Sequence, residues 1–140
     1  MAESIVFDTG VKTYDVNGNA DISFNPTSGA FIEKMQNTAS ELNAIHETFV
    51  KGTETDGSNA YKLLRDADEQ MRGVLDAAFG DGFCKAVCPK DKMYLLDIAN
   101  GFPLWANLML AILDKMDDSL ASEKTVAQTR IRKYSAKYKK

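Results

Sequence analysis

Histidine, tryptophan and cysteine are scarce in this chain, which has one His, one Trp and two Cys among its 140 residues. A zinc shell needs about four ligands, and His46, Cys84 and Cys88 do not supply them. One histidine also leaves no recognisable base partner for a Ser, Thr or Cys nucleophile. We therefore expect no metal, no cofactor and no enzyme activity. The two cysteines are interpreted as buried thiols that act as small hydrophobes in a reducing compartment, and His46 as a partly exposed helix residue.

Carboxylates are plentiful but do not suggest acid–base catalysis. The pairs Asp66–Asp68 and Asp117–Asp118 are expected on exposed helix faces. Such faces provide neither the burial nor the close pairing that tunes a catalytic carboxylate. The Gly-Asp-Gly sequence at 80–82 lacks the preceding strand and the following Lys-Ser/Thr of a phosphate loop, so it is interpreted as a helix stop.

The chain has no long uncharged apolar run. Its most apolar stretch, residues 93–113, is about long enough to span a membrane. It contains Asp97 and a Gly-Phe-Pro break at 101–103, which a lipid-exposed helix should not carry at its centre. We interpret it as a buried helix, a turn and a second buried helix, and expect no membrane association. The first residues lack the cationic start and apolar core of a secretory signal, so a cytoplasmic location is expected.

Charge is distributed unevenly along the chain. Residues 1–121 carry 10 Lys and Arg against 19 Asp and Glu, a net charge of −9, whereas residues 122–140 carry 7 against 1, a net charge of +6. With 44% hydrophobic residues, the chain is long enough for one core without staples. We expect a single globular domain over 1–121 and a basic, flexible tail over 122–140. The acidic domain repels nucleic acid, so only the tail could attract it.

Residues 1–24 alternate between apolar and polar side chains, as strands do. Ile5 and Phe7 are part of this pattern. After the turn signal at 17–19, a three-residue loop would pair Val16 with Ala20, and so keep the apolar side chains on one face; a two-residue loop would not. A lone hairpin is marginal in water. This hairpin is therefore expected to lie on the helices or to pair with a strand of another subunit.

Residues 25–121 repeat apolar side chains at the spacing of amphipathic helices. The predicted fold class is mainly α with an N-terminal β-hairpin (α+β), as a compact bundle of about four to five helices. The helices are expected from the cap at 25–28 to near Lys51, from about residue 60 to Gly80 after a flexible loop at 52–59, from Phe83 to Val87, from about Lys90 to Ala99, and from Pro103 to about Ala121. The charged residues of the second helix are interpreted as a solvated face; they are Arg65, Asp66, Asp68, Glu69 and Arg72.

Two regions are candidates for partner binding. The apolar face of the last helix is expected to be mainly core, but Phe102, Trp105 and Met109 could form a groove or an oligomer contact. In the tail, the candidates are Arg130, Ile131, Arg132, Lys133, Tyr134 and Tyr138. Cations interleaved with aromatics can bind nucleic acid through phosphate contact and stacking. They can equally dock an acidic protein, or the tail can simply be solvated.

Several motifs resemble one family. They are YDVNG at 14–18, ISFNPT at 22–27, GFPLWANL at 101–108 with Asp114 and Asp117 after it, and the RI, KY and KYKK sequences between 130 and 140. Together they resemble the small tail assembly chaperones of long-tailed phages and prophages of Gram-positive bacteria. The resemblance covers both ends and the apolar centre, about half the residues. Its motifs are structural rather than catalytic.

The resemblance implies a non-enzymatic chaperone in the host bacterial cytoplasm. Such a protein binds the tape-measure protein, promotes polymerisation of the major tail protein around it, and leaves before the tail is complete. The residues themselves leave a homo-oligomer open as a further partner. An acidic domain with apolar helical faces suits reversible binding of apolar helices, and does not favour nucleic acid as the partner. The alternatives are a small nucleic-acid-binding regulator that uses the basic tail, or a structural component of a virion or tail.

Overall fold

The computed structural model describes residues 1–138, apart from the side chains of Tyr134, Lys137 and Tyr138. The described residues are mainly α with an N-terminal hairpin, as the sequence predicts. The strands are β1 (Lys12–Val16), β2 (Ala20–Phe24), β3 (Ile98–Ala99) and β4 (Phe102–Pro103), and the helices are α1 (Gly29–Thr55), α2 (Ala60–Phe79), α3 (Phe83–Val87) and α4 (Leu104–Tyr138).

The hairpin of β1 and β2 has the predicted register, with Val16 opposite Ala20. Its three-residue loop places Asn17 and Gly18 at φ values of 55° and 74°, the left-handed region that Asn and Gly tolerate best. The hairpin lies on the helices, because the Phe24 ring stacks on Phe31 of α1 with 4.1 Å between centroids. The first residues differ from the prediction. Residues 1–11 form no strand, and Ile5 and its neighbours are exposed.

Helices α1 and α2 pack side by side and contribute the centre of the core. Ser28 caps α1 by accepting a hydrogen bond from the Phe31 N–H at 3.4 Å. The predicted flexible loop at 52–59 is largely structured, because α1 continues to Thr55 and a 3₁₀ turn covers Gly57–Asn59. Apolar side chains at three- and four-residue spacing point into the core from both helices; they include Phe31, Met35 and Leu42 from α1, and Ala67, Met71 and Leu75 from α2.

The predicted helix from Lys90 to Ala99 is wrong, because the segment after α3 forms turns and a short strand. Pro89 begins a turn in which its carbonyl accepts the N–H groups of Lys92 and Met93. A further turn follows, and residues 98–103 then form the small antiparallel pair of β3 and β4. Asp97 stabilises this path, since its carboxylate accepts the Tyr94 N–H at 2.9 Å. A local side-chain hydrogen bond of this kind competes with continuation of a helix.

Helix α4 extends well beyond the rest of the molecule. The sequence predicts its end near Ala121 and a flexible tail beyond, whereas α4 runs without interruption to Tyr138. Among the described side chains of α4, the last buried one is Ser119, whose Oγ lies 3.5 Å from the Tyr14 hydroxyl of β1. Residues 120–133 are all exposed. The second half of α4 is therefore a basic helix that projects into solvent.

Candidate partner-binding surface

An apolar groove of about 330 Å³ lies on the surface between α1 and α4. All but one of its lining residues are apolar, and three are methionines; the lining consists of Ile32, Met35, Gln36, Ala39, Met109, Leu110, Ile112, Leu113 and Met116. Methionine is flexible and polarisable, so a Met-rich surface adapts to side chains of different shape. The composition suits an apolar face of a partner helix.

Three residues that line this groove were not among the partner-binding residues predicted from the sequence. Ile32, Leu110 and Leu113 are all exposed, although large aliphatic side chains usually contribute most when buried. Their positions carried a signal. Leu110 and Leu113 lie beside the core-facing residues expected for α4 from the sequence, which are Leu104, Trp105, Leu108, Met109, Ile112, Met116 and Leu120, and Ile32 follows the buried Phe31 directly. Apolar residues off the core-facing stripe of an amphipathic helix are candidates for contact with a partner.

Trp105 holds α4 against α1 rather than presenting a free docking surface. It is half-buried, and its indole Nε1 donates a hydrogen bond to His46 Nδ1 on α1 at 3.3 Å. The two rings are 5.7 Å apart between centroids. His46 is half-buried as well, in agreement with its predicted partial exposure. The Trp105–His46 contact lies one helical turn from Met109, and so fixes the helix pair that forms the groove.

The predicted apolar candidates do not form one patch. Met109 lines the groove, Trp105 packs beside it, and Phe102 lies exposed on β4 outside the groove lining. The predicted tail candidates are far from this region along the chain. Arg130, Ile131, Arg132 and Lys133 are exposed on the projecting half of α4. Tyr134 and Tyr138 lie on the same helix, and their side chains are outside the described part of the chain.

The interpretation of the α2 charges as a solvated face is wrong for Asp68 and Arg72, which form a largely buried ion pair. Asp68 is 0% exposed, and its Oδ2 accepts a hydrogen bond from Arg72 Nε at 2.7 Å. Arg72 also donates to the carbonyl of Cys88 and, at 2.8 Å, to that of Met93. Asp68 Oδ1 accepts the Leu95 N–H at 2.8 Å. Three of these four hydrogen bonds tie the segment after α3 to α2.

The sequence did contain a signal for this network. Asp68 precedes Met71 by three residues and Leu75 by seven, and both of these are fully buried. Residues at that spacing share one face of a helix. Asp68 therefore lies on the core-facing stripe. An acidic residue in that stripe, with an arginine four residues later, indicates a buried ion pair rather than a solvated carboxylate.

The two thiols are free, with Cys84 buried and Cys88 half-buried. Burial raises the pKa of the Cys84 thiol to about 12, and the nearby Asp76 carboxylate adds to the effect. Burial also raises the pKa of Cys88. A thiol that stays protonated is a poor nucleophile. The prediction of a buried thiol is confirmed for Cys84 and is wrong for Cys88, which is only half-buried.

A second cavity, of about 380 Å³, lies between the hairpin, α3 and α4. Its lining combines core side chains with Asn17, Asn19 and Asn107. Asn107 is already engaged, since its Nδ2 donates to the Ala99 carbonyl at 2.8 Å. The groove between α1 and α4 is more apolar and is bordered by exposed aliphatic side chains, so we consider it the better candidate for a partner.

Within residues 1–138, the described side chains include no group of three or more His, Cys, Asp and Glu that could hold a metal ion. None of the described helices has the length and apolar character needed to cross a membrane. Comparisons with models of known protein families, with curated proteins and with solved structures find no match to this chain.

Proposed function

We propose that this protein is a non-enzymatic tail assembly chaperone that acts in the host bacterial cytoplasm. In this proposal it binds an amphipathic helix of the tape-measure protein in the groove between α1 and α4, and promotes polymerisation of the major tail protein around the tape measure. The proposal rests on the groove itself, an apolar surface whose lining includes the exposed side chains of Ile32, Leu110 and Leu113.

The chemistry of the groove supports a helical partner. A partner helix places apolar side chains at three- and four-residue spacing into a groove of this kind. Met35, Met109 and Met116 provide a deformable lining, which tolerates the varied apolar residues of a long repetitive helix. Exposed aliphatic side chains in a contiguous patch are typical of interaction sites.

The charge of the protein also supports this kind of partner. The sequence up to residue 121 is acidic, with a net charge of −9. Net charge of one sign keeps a protein soluble while it carries an apolar ligand. A partner helix with basic residues beside its apolar face would be attracted, and other acidic proteins would be repelled.

A co-expression experiment with a matched pair of variants tests the proposal. Ile32 and Val50 both lie on α1 and are 38% and 37% exposed, but only Ile32 lines the groove. Wild-type protein should keep the tape-measure protein soluble in a stable complex. Ile32→Glu should lose the complex because it places a charge beside the groove, whereas Val50→Glu should retain it.

Two results would contradict the chaperone proposal. The first is no association between the wild-type protein and the tape-measure protein at micromolar concentrations, with the chaperone folded by circular dichroism. The second is equal loss of binding in Ile32→Glu and Val50→Glu, which would show that the groove is not the binding site.

A nucleic-acid-binding regulator is the second candidate, because Arg130, Arg132 and Lys133 are exposed on one projecting helix. Phosphate contacts make such binding fall steeply with salt. Fluorescence anisotropy with DNA and RNA at two salt concentrations separates the candidates. The chaperone proposal expects weak, non-specific binding at physiological salt. Submicromolar, sequence-specific binding that disappears when residues 122–140 are removed would favour the regulator.

A further inference from the structure

The projecting half of α4 continues an apolar stripe that begins in the groove. Met109, Leu113 and Met116 line the groove, and Leu120, Ala127 and Ile131 follow at spacings that keep them on the same side of a straight helix. Leu113, Leu120 and Ile131 are exposed. A helix that projects into solvent with an apolar stripe gains little stability from its own length, so a covering surface would stabilise it.

The charges along α4 are separated into two blocks. Residues 114–118 carry Asp114, Asp117 and Asp118 against one cation, Lys115, and the described residues 123–133 carry Lys124, Arg130, Arg132 and Lys133 against one carboxylate, Glu123. These side chains are exposed. One end of the stripe is therefore flanked by negative charge and the other end by positive charge.

We propose that a second copy of this chain covers the stripe, with the two α4 helices antiparallel about a twofold axis near residues 123 and 124. This arrangement brings the acidic block of each copy next to the basic block of the other. It also sets Leu120 opposite Ala127 and Met116 opposite Ile131, and it pairs Glu123 of each copy with Lys124 of the other at the axis. A twofold contact is self-complementary, and this sequence meets that condition in both charge and hydrophobicity.

The same charges disfavour the parallel arrangement. Parallel helices in register would place Asp117 beside Asp117 and Arg130 beside Arg130, and like charges in contact are destabilising. The helix dipoles also oppose a parallel contact and favour an antiparallel one. The overlap from Met109 to the end of the described helix is about 45 Å at the α-helical rise per residue. That length is about eight turns of α4 on each copy.

Ile131 is the residue that enters the groove of the other copy in this arrangement. It lies opposite Met116, which lines the groove, and it is exposed in the single chain. The basic residues Arg130 and Lys133 would then lie opposite Asp117 and Asp114 of the other copy. This inference concerns the protein alone, and does not depend on which partner the groove binds in the cell.

Sedimentation equilibrium of the full chain, in low and high salt, tests the inference. Wild-type protein should be a dimer at about 0.1 mM, with a dissociation constant that rises with salt because the charge blocks are solvent-exposed. Leu120→Glu and Ile131→Glu should each raise the dissociation constant about tenfold or more. Val126→Glu is the matched control, since Val126 is 46% exposed against 49% for Leu120 but lies on another side of α4. It should leave the dimer intact.

Charge exchange tests the antiparallel direction. A variant with Asp114→Lys and Asp117→Lys, and a second variant with Arg130→Glu, Arg132→Glu and Lys133→Glu, should each dimerise weakly alone. Mixed together they should form a heterodimer, because each new block faces the opposite charge. Circular dichroism at the same concentrations verifies that every variant is helical.

Three outcomes would overturn the inference. They are a monomeric wild-type protein at 0.1 mM, equal weakening by Val126→Glu and Leu120→Glu, and no heterodimer on mixing the charge variants. The readout contains no tape-measure protein, so its failure is distinct from failure of the proposed function.

Discussion

The Asp68 carboxylate accepts the backbone N–H of Leu95 at 2.8 Å, across 27 residues of chain. The Leu95 carbonyl in turn accepts the Trp105 N–H at 3.1 Å, in the first turn of α4. A fully buried carboxylate of α2 is thus connected through a single residue to the start of the helix that forms the groove. The position of α4 depends on this buried charge as well as on apolar packing.

Replacing Asp68 should therefore destabilise the protein strongly. In Asp68→Ala, Arg72 keeps its charge in a largely buried site without its partner, and the buried Leu95 N–H loses its acceptor. Removing one partner of a buried ion pair typically costs about 3–5 kcal/mol. Urea unfolding measures the loss. The control is Asp66→Ala, which changes an exposed carboxylate two residues away and should alter the free energy of unfolding by less than about 0.5 kcal/mol. Similar losses in both variants would contradict the assigned role of Asp68.

The contact between Trp105 and His46 should be visible in fluorescence, because Trp105 is the only tryptophan. His46→Ala removes the acceptor of the indole N–H and opens one side of the ring to water. The emission maximum should move to longer wavelength while circular dichroism stays the same. Glu47→Ala, a change at the exposed neighbour, should leave the emission unchanged. An unaltered spectrum in His46→Ala would show that Trp105 does not contact α1 in solution.

Replacing Gly18, the glycine of the hairpin loop, should strain the backbone. Its φ is 74° and a Cβ there would meet no atom within 4 Å, so the cost of Gly18→Ala is conformational and about 1 kcal/mol. Gly29→Ala is the control, because Gly29 opens α1 and a Cβ there also meets nothing within 4 Å. That change should be neutral or stabilising. Denaturant midpoints of both variants decide the comparison.

Stability should fall above pH 9 because of Cys84. Burial raises the pKa of the Cys84 thiol to about 12 in the folded protein. The unfolded chain therefore loses this proton at lower pH than the folded chain. The stabilisation is fully present below pH 9 and is lost as the pH rises towards 12. Wild-type protein should lose more stability between pH 7 and pH 10 than Cys84→Ala, in which other groups titrate as before. Identical losses in the two proteins would contradict the burial of this thiol.

Removing residues 122–140 should leave the remainder folded. Ser119 is the last buried residue among the side chains of α4 that the structure describes, and residues 121–133 are all exposed, so the deletion removes no core contact of those residues. At a protein concentration low enough to keep both proteins monomeric, the shortened protein should unfold at nearly the same urea concentration as the full chain, and its far-UV circular dichroism should decrease by the helical signal of the lost turns. Loss of cooperative unfolding would show that the projecting half of α4 contributes to the core.

Several elements could be predicted from the sequence because their causes are local. The hairpin register follows from strand alternation, since only the three-residue loop places Val16 and Ala20 on the same face as the other apolar residues. Helix α3 has the predicted bounds, Phe83 to Val87. A glycine in the left-handed conformation precedes it and a proline follows shortly after it. Turn and cap residues act over a few positions, so one sequence is sufficient to identify them.

The exposure of individual side chains could not be predicted with the same success. Local pattern indicated a helix from Lys90 to Ala99, but the hydrogen bonds of Asp68 and Arg72 to this segment, together with the turn at Pro89, hold it in another path. Asp68 and Arg72 were predicted to be solvated because they are charged residues in a helix with many other charged residues. Their burial depends on a segment about 20 residues away in sequence, which tertiary packing brings over α2.

The sequence by itself determined the mainly helical class, the hairpin and its register, and the contrast between an acidic domain and a basic C-terminal segment. Periodicity and charge are properties of neighbouring residues, so folding does not change them. The tertiary structure decided which apolar residues are covered. Ile32, Leu110 and Leu113 become a groove only because α1 and α4 lie side by side with too little chain between them to bury every aliphatic side chain.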